Sequence, residues 1–136
     1  MAASRRTIKR VAYHVSKQEF AELVERAIAT LPEQFRAHLE TCRLEIRKRP
    51  TVKELRELGL EDDELLLGLY VGNPLTERSI VDSGGLPDVI YVFQEDCELA
   101  SDSADQLLEE VRVTVLHELG HHFGMDEDDL QRLGYD

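Results

Sequence analysis

Cysteine is nearly absent from the chain, with Cys42 and Cys97 its two thiols. Two cysteines cannot build the disulfide framework of a small secreted domain, and without a C-x-x-C spacing they suggest no thiolate metal site. They read as reduced core thiols in a cytoplasmic protein. No apolar run is long enough to span a membrane. The start, Met1 to Arg10, is basic, but no secretory hydrophobic region follows it. An organelle transit peptide shares that composition; the reading preferred here is a solvated basic tail over residues 1–15. Positive charge is in deficit, with 16 Lys and Arg against 28 Asp and Glu and a formal net charge of −12. Such a surface repels a phosphate backbone, which argues against nucleic acid as a partner. Repeats, low-complexity tracts and an interdomain linker are missing too. The length and a hydrophobic fraction of 42% fit one domain with a modest core, here residues 16–136.

Ser16 and Glu19 form a capping-box pattern that opens a helix to about Thr30, with Phe20, Leu23, Val24, Ala27 and Ile28 facing inward. Pro32 starts a short helical turn through Ala37. Cys42, Leu44 and Ile46 alternate with Arg43, Glu45 and Arg47, which predicts a half-buried strand within residues 39–48. Thr51 opens a short helix over 52–58, closed by Gly59. The apolar run 65–71 reads as a buried strand, in which Gly68 marks a bulge or the close approach of another element. Residues 73–87 are a loop that could rim a cleft. Residues 88–94 are the next strand, and 95–103 a connection ending in a cap at Asp102 or Ser103. Short strands mixed with helices, the last of them bearing the site residues, predict an α+β domain with a small mixed sheet.

That last helix carries the chemistry. Thr114-Val-Leu-His117-Glu118-Leu-Gly-His121-His122-Phe-Gly124 contains H-E-x-x-H. His117 and His121 lie one helical turn apart, so both imidazoles leave one face and can reach one divalent ion. Glu118 is badly aimed as a third ligand but well placed to hydrogen-bond a water on the metal, which is a general-base position. Leu107, Leu108, Val111, Val115, Leu116 and Leu119 supply an amphipathic lead-in that a helix with merely spare histidines would not need. A catalytic zinc needs a third protein ligand. Glu127, three residues past Gly124, is the first choice, with Asp128 and Asp126 as runners-up. The same acidic run would also cap a short helix over 128–133. His122 points about 100° away from His121 and reads as a packing or supporting residue. His14 and His38 lie outside any motif and receive no ligand role.

Three stretches together resemble a known family. They are Leu66-Leu-Gly-Leu-Tyr-Val-Gly72, Leu86-Pro-Asp-Val-Ile-Tyr-Val-Phe93 and Thr114 to Asp129. In them the chain resembles the small, single-domain bacterial metallopeptidase family proteins with a minimal zincin fold, over residues 16–135. The resemblance implies one Zn2+ held by His117, His121 and a carboxylate, with Glu118 as base. Relatives commonly have Asp where Glu127 stands. Unlike the longer metzincins, the chain has Met125 inside the motif and nothing downstream to form their Met-turn.

The expected activity is therefore zinc-dependent hydrolysis of a peptide or protein substrate by a monomer or weak oligomer. The alternative is a zinc-binding module with little or no proteolysis; a metal-free helical protein is the third reading. Zincins usually hold substrate along a strand edge beside the motif helix, and by that resemblance the 88–94 strand is the candidate edge. Tyr70, Tyr91 and Tyr135 are possible oxyanion donors, each more simply read as a packing residue with a wet hydroxyl.

Overall fold

The computed structural model describes residues 2–4, 12–72 and 88–133. The 73–87 loop and Tyr135 lie outside the described residues. The elements are β1 (Ala2–Ser4), α1 (Lys17–Ala29), α2 (Glu33–Arg36), a 3-10 turn (Ala37–Glu40), β2 (Cys42–Arg47), α3 (Val52–Glu57), β3 (Gly68–Val71), β4 (Asp88–Phe93), α4 (Gln94–Leu99), α5 (Ala104–His122) and α6 (Glu127–Leu133). This is the mixed α+β architecture expected from the sequence.

The long helices start where their caps dictate. Ser16 Oγ accepts from the Glu19 N–H at 3.0 Å, and Glu19 answers by accepting from the Ser16 N–H. Thr51 and Glu54 repeat the device on α3, where Glu54 also takes a bidentate pair from Arg47 at 2.8 Å on each oxygen. Ser103 caps α5 by accepting from the Gln106 N–H.

The sheet order is β1-β3-β4-β2, with β1/β3 and β3/β4 antiparallel and β2/β4 parallel. One face, through Cys42, Tyr70, Ile90 and Val92, packs on Phe20, Leu23, Val24 and Ala27 of α1 and on Leu107, Val111, Val115, Leu116 and Leu119 of α5. The other face lays Leu69 and Phe93 against Leu55, Leu60 and Leu66. Each fully buried apolar side chain of α5 contributes about 2 kcal/mol. Five of them outweigh the few kcal/mol that a buried polar group on the same helix costs.

Several expectations change. Strand 88–93 is not an edge: it pairs with β2 on one side and β3 on the other. Its nearly unbroken apolar run is that of a strand buried on both faces. Gln94, expected to end the strand, instead begins α4, which takes up much of the expected connection 95–103. Two of its acids are buried and satisfy backbone donors, Asp96 accepting from the Leu66 N–H and Glu98 from the Val15 N–H, both at 2.8 Å. The apolar run 65–71 joins the strand ladder only from Gly68 onward. Ala2–Ser4, within the stretch read as a tail, form the strand β1.

Candidate metal centre

Two hollows position the motif helix. A Cβ built on Gly68 of β3 would overlap the Thr114 Cγ2 methyl and lie 3.4 Å from Glu118 Cγ. A glycine here lets α5 lie directly on the strand. On the far side, a Cβ on Gly120 would overlap Leu130 Cδ2. The fully buried Leu130 thus seats α6 in a notch of α5.

The turn between these helices follows from local chemistry. Gly124 takes φ +82°, and the Met125 N–H returns to the Gly120 carbonyl at 2.9 Å. Asp126 and Asp129 then cap α6 reciprocally: Asp126 Oδ1 accepts from the Asp129 N–H at 2.8 Å and Asp129 Oδ2 from the Asp126 N–H at 3.2 Å. Asp129 also pairs with Arg132. Glu127, one helical turn before Leu130, is thereby swung under the histidines.

There the donors converge. His117 Nε2 and His121 Nε2 are 3.1 Å apart, and Glu127 Oε1 lies 3.3 Å from the first and 3.1 Å from the second. Three donors on a tetrahedral zinc, each about 2.0–2.1 Å from it, stand about 3.3 Å apart. The residues present therefore fit the ion. The imidazoles are largely buried, while the Glu127 side chain is 66% exposed, so the site opens to solvent on the α6 side. Burial first, and the adjacent His117 second, lower the His121 pKa below the ordinary histidine value. That favours the neutral ring a metal requires.

Glu118 belongs to the same cluster, with ligand atoms of His117, Glu118 and His121 all within 4.8 Å of one another. That spacing is looser than the triangle Glu127 closes. The Glu118 side chain is fully buried, and neither oxygen has a hydrogen-bond partner among the described residues. Burial, then the Glu127 charge, push its pKa well above the usual carboxylate range. An orphaned buried carboxylate beside a set of converging donors is poised to hold a water.

The remaining sequence candidates sort by position. Asp126 is engaged in its cap. His122 points into the core, where its Nδ1 meets Asp88 Oδ2 at 2.7 Å, a fully buried pair tying the end of α5 to β4. The Tyr70 hydroxyl lies 3.4 Å from the same nitrogen. Tyr91 sits on the opposite sheet face under the Arg47 guanidinium, 4.9 Å from ring centre to Cζ. His38 packs edge-on against Phe123, and His14 lies 3.5 Å from Glu98. Leu130 and Gly120, which seat Glu127, went unnoticed in the sequence. The signal was there in principle, as a glycine between the two motif histidines and a leucine three residues past the acid.

Residues 39–135 match the family described as zincin-like metallopeptidases. Among solved structures the chain is similar to a conserved hypothetical protein from T. thermophilus, at 27% identity and a TM-score of 0.52. The alignment covers 89% of this chain and 100% of that one. No curated protein matches the chain. Among the described residues, no helix is long and apolar enough to cross a membrane.

Proposed function

Since the chain belongs to the zincin-like metallopeptidase family, we propose that it is a zinc-dependent peptidase. The observation that carries this reading is the closure of the two-imidazole pair by Glu127 Oε1, at 3.1 and 3.3 Å, beside the unpartnered Glu118. In it, His117, His121 and Glu127 hold one zinc ion. When bound, zinc lowers the pKa of a water toward about 7 and polarises the scissile carbonyl.

The chain's own residues do the rest. Glu118 accepts a proton from the attacking water as its oxygen bonds to the carbonyl carbon. The same carboxyl then returns that proton to the leaving amine as the C–N bond breaks, so the group ends as it began. Its place within the cluster of His117 and His121 keeps one carboxyl beside the ion's water for both halves. The His122–Asp88 pair holds the end of the helix while this happens. The substrate is a peptide or protein, the working form a monomer or weak oligomer and the compartment the cytoplasm.

Glu118→Gln tests the reading. Zinc content should persist while peptide cleavage falls by about 10²–10⁴-fold. Undiminished cleavage would sink the role given to Glu118. A zinc-loaded parent chain that cleaves nothing across a peptide library would instead make the protein a zinc-binding module. The complete burial of Glu118 is the feature such a module would share.

A further inference from the structure

β3 crosses the motif helix at Gly68, where an added Cβ would overlap Thr114 and lie 3.4 Å from Glu118 Cγ. β4 is paired on both sides, and β2 lies at the other margin of the sheet. The flank of β3 away from β4 is therefore the strand edge beside the site. In this structure that edge is taken. Ala2 lies opposite Tyr70, Ala3 opposite Leu69 and Ser4 opposite Gly68, running antiparallel.

Main-chain pairing is largely blind to side chains, so any extended peptide can use the same row of N–H and C=O groups. A peptide in that position would pass Gly68 next to Glu118. Resting on the peptidase reading above, in which an extended substrate pairs along the strand edge beside the motif helix, we infer that β1 is an intramolecular stand-in that competes with that substrate for the outer edge of β3. The stand-in is three residues long. A pairing this short is weak by itself and persists through the high effective concentration that tethering gives. Such an occupant is displaceable rather than permanent. If β1 is docked in about nine molecules of ten, it weakens apparent substrate affinity about tenfold.

The test uses the full chain, zinc-loaded and carrying Glu118→Gln so that bound peptide survives. A fluorescent extended octapeptide of Ala, Ser and Val is the probe. Ala2→Pro and Ala3→Pro are each added, because adjacent strand residues direct their N–H groups to opposite sides and proline removes one. One of the two should bind the probe about tenfold more tightly than the parent. Hydrogen exchange on the chain without proline supplies a second readout that depends on neither variant folding. Saturating probe should speed exchange at Ala3 or Ser4 while Gly68–Val71 stay protected. Equal affinity in all three forms, no binding to any of them, or a probe that binds and leaves β1 protected overturns the inference. Absence of cleavage by the chain retaining Glu118 overturns the peptidase reading alone, since docking is measured on a form that does not cleave.

Discussion

Glu127 reaches the histidines because of two residues without reactive chemistry, Leu130 and Gly120. Leu130 is fully buried in the space a side chain at position 120 would need. Glu127→Ala should lower zinc affinity by more than about 100-fold, since even the partners behind a metal ligand are worth 10–100-fold. Asp126→Ala should leave zinc affinity nearly unchanged and cost about 1 kcal/mol through the lost cap. Competition with a chromogenic chelator measures both, and the reverse order would assign the carboxylate ligand to Asp126. At this scale the sequence is informative. H-E-x-x-H sets the imidazoles one turn apart by helical geometry, and the offset of Glu127 from Gly124 ranks it first among four acids, ahead of Asp128 and Asp126. The seat under that acid is harder to read, because it depends on a contact between two helices whose angle no local pattern encodes.

Between elements, the approach of α5 to β3 is set by Gly68. Gly68→Ala places a methyl against Thr114 Cγ2, with the Tyr91 carbonyl oxygen 3.2 Å away on the other side. Thr114 is buried, so its methyl has little room in which to yield. The expected cost is about 1–3 kcal/mol, seen as a lower Tm, and the proposed peptidase activity should fall as Glu118 shifts. Thr114→Ser removes the opposing methyl and should restore most of the stability in the double variant. Failure of that rescue would show that the contact does not set the spacing. The caps of α1, α3 and α5 were legible because Ser16, Thr51 and Ser103 each act on a backbone N–H three residues away. The sheet order was not. β2 and β4 are joined only through a crossover, and nothing within residues 88–93 names its partners. The unbroken apolar run there did hint at a central strand. α4 was missed because Asp96 and Glu98 look like surface residues until their distant donors, Leu66 and Val15, are known.

For the molecule as a whole, buried acids make stability depend on pH. Burial raises Asp96 to about 6, against the bond it accepts from Leu66. Its folded pKa thus exceeds its unfolded value of about 3.9. Between the two, the folded chain keeps a proton the unfolded chain has released. The contribution of Asp96 is therefore most favourable below pH 4, falls as pH rises to about 6 and is level above that. Asp96→Asn should match the parent in urea unfolding at pH 4 and exceed it at pH 7 by about 1–3 kcal/mol. An equal difference at both pH values would refute the assignment. The sheet has a further consequence, for the speed of assembly. Ala2 meets Tyr70 and Cys42 meets Asp88, so both outer pairings join segments remote along the chain. Closing such loops uses up chain entropy before any contact repays it. The local turns of α1 and α5 therefore form early, and strand registry, not the histidine helix, limits how fast the native state is reached.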